Sequence, residues 1–337
     1  MGDLAFDPDA MFQDAARADR ARAQAIAGVP TGPGREAEAA LPDSMFARMR
    51  LETDTIRAGM QQEGMTALMD PTGMLDRQQA QRELRGNFEI VAPGARTDAP
   101  NQVTEADFEH IARLYSDIRL DRTNLHLDPG GMSERAQLRF RRDMMGQLGR
   151  ILQTGTGRDL LEGLAHNPHE NAVNLRPYRD ERGRVSDTNG GSDPQYQANA
   201  SDPRRGTGAD IGWTPWADAV EITSDKDAWH QQRGDVGLFH ELTHAWHEVN
   251  GTLDVRPTVG EPGLDGTMRD RDAGIGGWEH QAVGLGRHAA DPGPNENRYR
   301  LERRRIGAHG GATVVPGDRG MELRQDYAER PPEPAPG

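Results

Sequence analysis

From Val103 onward the apolar residues fall at the spacing of amphipathic helices. Thr104 stands where an N-cap is expected and Asp107 at the capping-box position, and Phe108, Ile111, Leu114 and Ile118 follow on one face. A second helix is predicted at about 132–154 on Leu138, Phe140, Met144, Leu148 and Ile151, and a shorter one at 157–165 on Leu160, Leu161 and Leu164. VNLRPYRD (173–180) reads as a strand, and DAVEITSD (218–225) alternates Val220 and Ile222 with polar residues, as a half-buried strand does. Three further helices are expected at 236–250, 277–286 and 295–307. Between them, 181–212 is almost wholly polar and glycine-rich and predicts a long surface excursion, and 251–277 reads as a Gly- and Asp-rich connection.

Upstream the texture differs. Residues 1–40 are rich in Ala, Asp, Arg, Gly and Pro, as a flexible leader would be. A loosely helical pattern at 43–69 carries Met45, Phe46, Met49, Leu51, Ile56, Met60, Met65 and Leu68. FEIVAPGARTDAPNQ (88–102) interrupts with a short strand and two prolines, which predicts a boundary there. The expected organisation is a flexible or helical N-terminal region at 1–100, a folded domain at 103–315 and a disordered tail at 316–337.

Composition narrows the function. A net charge of −14 over 337 residues argues against a general binder of nucleic acid or anionic membranes. A mean hydropathy of −0.82 implies that much of the chain is loop rather than core. No segment approaches the roughly 20 apolar residues of a membrane span. The N-terminus begins acidic and lacks an apolar stretch, so export without a Sec-type signal is expected. The absence of cysteine excludes thiolate ligands, disulfides and a cysteine nucleophile together. Lys226 is the only lysine, which fits a high-GC coding bias, as the Ala, Gly, Arg, Asp and Pro load suggests, or selection against ubiquitin acceptors in a protein acting in eukaryotic cytosol.

The chemistry is concentrated in VGLFHELTHAWHEVN (236–250). On a helix, residues four apart share a face about 6 Å apart along the axis, so His240 and His244 can converge on one Zn²⁺. Glu241 then lies beside the metal, where a general base for water belongs. Asp235 suits the N-cap and Asn250-Gly251 the stop. A hydrolytic zinc site needs a third protein ligand. His247 lies about 10 Å along the axis from His240, too far on a straight helix, and Asn250 occupies the place where a metzincin has its third histidine. Downstream candidates are Glu279, His280, His288 and Glu296; Glu279 leads because it opens a helical stretch that Ala282, Val283 and Leu285 can pack. The expected fold is therefore α+β and zincin-like: a small mixed sheet, an active-site helix and a helical C-terminal part. Its antiparallel edge strand at 218–225 would bind extended substrate through Val220, Glu221 and Ile222.

Three blocks, FHELTHAWHEVNGT (239–252), EHQAVGLG (279–286) and NENRYRLERRRIG (295–307), together with TGTGRDLLEGL (154–164), resemble the NleD-like effector metallopeptidases. The likeness covers roughly 103–315. The chain departs from the pattern in the long connection before Glu279, with DGTMRDRDAGIGG inserted, and after Ile306. The resemblance implies His240, His244 and Glu279 as ligands, Glu241 as base, and Glu296, Asn297, Tyr299 and Arg300 framing the site. Zinc-assisted peptide hydrolysis follows as the expected reaction, with Tyr299 or Arg300 donating to the oxyanion. It also implies a secreted bacterial effector acting in the cytosol of a target cell on a protein, signalling kinases being the first class to consider. An interbacterial toxin with an immunity protein is the rival reading, and a zinc-stabilised interaction module without catalysis is another. The region 1–100 is expected to carry a secretion, chaperone-binding or inhibitory segment, a secretion signal being the leading choice, with a plain linker as the alternative.

Overall fold

The computed structural model describes residues 73–185, 191–216, 234–258, 276–309 and 323–324. The chain divides into two units, Met1–Met65 and Thr66–Gly337, and every described residue belongs to the second. The helical pattern at 43–69 and the strand expected at 218–225, with Val220, Glu221 and Ile222, lie outside the described residues.

The described elements form a mixed α+β fold. In chain order they are α1 (Met74–Leu84), β1 (Glu89–Ile90), β2 (Gln102–Val103), α2 (Glu105–Arg119), β3 (Leu125–Leu127), α3 (Glu134–Ile151), α4 (Gly155–Ala165), β4 (Val173–Arg176), β5 (Ser192–Pro194), β6 (Ala209–Gly212), α5 (Gly234–Val249), α6 (Gly277–Val283) and α7 (Glu296–His309). The capping box read from sequence opens α2: Asp107 N–H donates to Thr104 Oγ1 at 3.2 Å, and Thr104 N–H to Asp107 Oδ2 at 3.4 Å. Thr154 caps α4 through Gly157 N–H at 2.9 Å. Phe140, Met144, Leu148 and Ile151 bury one stripe of α3, and Leu160, Leu161 and Leu164 that of α4.

The main sheet has the order β3-β4-β6-β5, with β3, β4 and β6 parallel and β5 antiparallel at the edge. Register aligns Leu125, Val173 and Ala209 in one buried row and Leu127, Leu175 and Ile211 in another. This corrects the expectation of a polar excursion over 181–212. That run supplies an interior strand, β6, and the edge strand, β5. Only Ala209 and Ile211 in β6 carry apolar side chains, too few to register as an alternating pattern.

Helix α1 and β1 precede or fall at the boundary expected at 88–102, and they pack with the elements after it. Helix α1 packs on α2, where Arg119 is paired with Asp76 at 3.0 Å and Glu83 at 2.9 Å, and Ser116 Oγ donates to Asp76 Oδ2 at 2.7 Å. Ala80, Leu84 and Phe88 join the same hydrophobic core as α2, α3 and the sheet. The packed unit therefore reaches back at least to α1. Its apolar residues were hidden because α1 is mostly polar and carries few of them.

Helix α5 is the hub: it packs against α3, α4, α6, α7, β5 and β6. Fourteen of its sixteen residues are buried. Asp235 is not its N-cap but lies inside its first turn, buried and bonded to other elements. The helix stops at Val249, before the expected Asn250-Gly251, and Gly251 has a φ of 64° that only glycine adopts without strain. A Cβ there would also lie 1.9 Å from the carbonyl oxygen of Asp202.

Candidate metal centre

Helical spacing sets the first two donors. His240 and His244 stand four apart on α5, and their Nε2 atoms approach to 3.0 Å with ring planes at 84°. Glu279, in the first turn of α6, places Oε2 at 3.2 Å from each of those nitrogens. Donors bound tetrahedrally to zinc at about 2.05 Å would be spaced by about 3.3 Å. The three side chains present thus fit a metal ion of that size, and they are the group among the described residues able to hold one.

Helix α6 is docked so that Glu279 reaches this point. Gln281 donates through Nε2 to the Thr252 carbonyl and accepts from Asp254 N–H, pinning α6 to the loop that follows α5. Gly277 N–H bonds the Arg256 carbonyl at 2.7 Å. The other downstream candidates are directed elsewhere. His280 is wholly buried outside the donor set. His288 bridges Asp254 and Asp291 at 2.9 and 2.7 Å. His247 faces Thr252 Oγ1 at 2.9 Å, and burial, with His244 and His288 nearby, pushes it down to about 3, so it is a neutral packing group.

Glu296 opens α7 with no exposed surface and accepts a hydrogen bond from His240 Nδ1 at 2.8 Å. A carboxylate can only accept, so Nδ1 carries a proton, and it is Nε2, turned toward His244 and Glu279, that offers a lone pair once its own proton is lost. Burial alone would depress His240, but hydrogen bonds donated to Glu279 and Glu296 push it up to about 10. Burial would likewise raise Glu279 and Glu296. Instead the two imidazoles hold Glu279, and Arg300, Arg324 and His240 hold Glu296, well below the usual carboxylate range. Without a metal, the centre is thus a proton-bridged cluster of imidazoles and carboxylates.

Glu241 stands outside the donor set, and its Oε2 accepts from the backbone N–H of Ser192 in β5 at 2.9 Å. The Ser192 hydroxyl donates to Glu248 Oε2 at 3.0 Å, so one residue of the edge strand holds two carboxylates of α5. Burial pushes Glu248 up to about 7.

Tyr299 and Arg300 have other partners than a reacting carbonyl. The Tyr299 ring stacks on Phe239 at 4.3 Å and its hydroxyl donates to Asp235 Oδ2 at 2.6 Å. Arg300, wholly buried, donates from Nε to Glu296 Oε1 at 2.7 Å. The tail expected to be disordered also contributes: Arg324 is buried and its guanidinium lies 3.3 Å from Glu296 Oε2. Ser192, Glu248 and Arg324 escaped the sequence reading. Glu248 had a signal, seven residues beyond Glu241 on the same helical face. Ser192, in a polar run, and Arg324, in the tail, had none.

Fold and site together define an α+β protein with a two-histidine, one-carboxylate donor set and a second glutamate beside it. Residues 128–327 match the model of the Peptidase M91 family, described as effector protein, and the chain belongs to that family. It is accordingly a peptidase of the effector class. No curated protein and no solved structure matches the chain.

Proposed function

We propose that this effector is a zinc-dependent endopeptidase of zincin type that hydrolyses a protein inside the target cell. The observation that carries the reading is the convergence of His240 Nε2, His244 Nε2 and Glu279 Oε2 within 3.2 Å of one another, with Glu241 adjacent but not part of the set. A purely structural metal site has no need of that fourth group. Zinc held there would supply Lewis acidity toward a peptide carbonyl and acidify a water molecule.

The protein's own groups do the rest. Glu241 accepts the proton of the attacking water and returns it to the leaving amine. The Ser192 N–H engages Oε2 of Glu241, which leaves Oε1 to take the proton. Glu296 keeps His240 in the tautomer that presents Nε2. In this reading Tyr299 and Arg300 brace α5 and Glu296 rather than touch the substrate. Extended substrate is assigned to the side of α5 where β5 lies against Glu241, the role first read into Val220, Glu221 and Ile222.

The test compares full-length wild type with Glu241→Gln for metal content and for new N-termini raised in a target-cell lysate. Both proteins should carry about one zinc per chain, and only wild type should cut. Wild type without zinc would overturn the metal reading, and equal cleavage by both would move the base elsewhere.

A further inference from the structure

We infer that Arg324 is a positioning residue of the metal centre, delivered by the segment beyond α7 and acting through Glu296 on His240. The inference rests on the zinc reading of the His240–His244–Glu279 cluster and extends it to a residue outside the donor set.

Two independent contacts bring Arg324 to its place. Asn297 reads its backbone as a neighbouring strand would: the carboxamide oxygen accepts from Arg324 N–H at 2.7 Å, and the carboxamide nitrogen donates to the Arg324 carbonyl at 3.1 Å. The side chain then turns inward, leaving the residue 7% exposed, with its guanidinium 3.3 Å from Glu296 Oε2. That oxygen is the one that accepts from His240 Nδ1. The other, Oε1, is held by Arg300 from one turn along the same helix. The carboxylate is therefore clamped at both oxygens, and the guanidinium on the working oxygen comes from 28 residues away.

The physical consequence follows from lever arms. Arg300 and Glu296 share α7, so the pair can shift as a unit relative to α5 and does not by itself fix how Oε2 is aimed there. A charged donor on Oε2 from outside α7 removes that freedom. The orientation of a ligating histidine depends on such partners, whose loss typically costs about 10–100-fold in metal affinity. Asn297 supplies the anchorage that makes the contribution specific to residue 324. Coupling is reciprocal, so metal binding should also tighten the hold of Asn297 on Arg324.

The test uses the full-length chain. Zinc affinity is measured by competition with a chromophoric chelator for wild type, Arg324→Gln, Arg324→Lys and Asn297→Ala, with Tm recorded for each metal-free protein. Arg324→Gln should bind zinc about 10–100-fold more weakly. Arg324→Lys, which keeps a charge near Oε2, should recover part of that loss. Asn297→Ala, which leaves the guanidinium intact but frees its backbone, should weaken zinc in the same direction and serves alone if Arg324→Gln does not fold. Hydrogen exchange at the Arg324 amide should slow when zinc is added to wild type. Unchanged zinc affinity in Arg324→Gln or in Asn297→Ala, with only Tm lowered, would make Arg324 a packing residue and overturn the inference. Wild type that binds no zinc would instead sink the metal reading on which it rests.

Discussion

His240 and Glu296 are joined by a 2.8 Å hydrogen bond that links the second turn of α5 to the first residue of α7 across 56 positions of sequence. Through it the last described helix decides which nitrogen of the first histidine faces the donor set. In the metal-free protein the same contact, with Glu279 on the other side, lifts His240 to about 10.

A proton must therefore leave when zinc arrives. Near neutral pH His240 is protonated in the empty site and neutral in the loaded one, so higher pH favours binding. Apparent zinc affinity should rise about tenfold per pH unit between pH 6 and 8, with about one proton released. Calorimetry in buffers of different ionisation enthalpy counts that proton, and a count of zero would remove this account of the cluster.

Loss of a donor should be far more damaging than loss of a neighbouring histidine. His240→Ala, His244→Ala and Glu279→Ala should each lower zinc affinity by well over the roughly 100-fold ceiling of outer contacts. His280→Ala and His288→Ala should change it little, although both can lower Tm. Release of zinc by His280→Ala with retention by Glu279→Ala would reassign the third ligand.

Tyr299→Phe separates a structural hydroxyl from a catalytic one. The hydroxyl is buried on Asp235 at 2.6 Å, so its removal should cost about 1–3 kcal/mol of stability and leave turnover within a few-fold of wild type. A drop of 100-fold or more in kcat at unchanged KM would restore Tyr299 to the oxyanion role.

Leu84→Ala tests whether residues before Val103 belong to the packed unit. Leu84 is 1% exposed in the common core, and truncating such a side chain costs about 2–5 kcal/mol. Denaturant unfolding that shows no loss would return the boundary to the prolines after β1.

Glu248 gives a pH signature. Burial raises its carboxyl from 4.5 to about 7 in the folded protein. Between those values the unfolded chain is ionised and the folded one protonated, so the folded state binds more protons and loses stability as pH rises. In metal-free protein, Glu248→Gln should remove this term, and its stability relative to wild type should climb from pH 4.5 to 7, toward a limit on the order of 3 kcal/mol. A difference independent of pH would mean that Glu248 is ionised throughout.

What the sequence determined on its own was local. His240 and His244 share a face because any helix brings residues four apart together, and Thr104 with Asp107 forms its capping box within a single turn. The stripes of α3 and α4 were legible for the same reason, a period of 3.6 repeated over several turns. Tertiary structure decided the rest. Glu279 stood out among four candidates by its place in a helical stretch and its likeness to the effector family, yet only the docking of α6 through Gln281 brings its carboxylate to the histidines. Among the described residues the antiparallel edge strand is β5, which no alternation marks, because a three-residue strand is selected by its partner β6 and not by its own side chains. Tyr299 and Arg300 entered through the likeness to the effector family as candidates for the oxyanion, and their partners, Asp235 and Glu296, are set by how α7 meets α5. Arg324 is the extreme case. A guanidinium in a polar tail carries no periodicity, and its closeness to the metal centre exists only because Asn297 fixes the Arg324 backbone there.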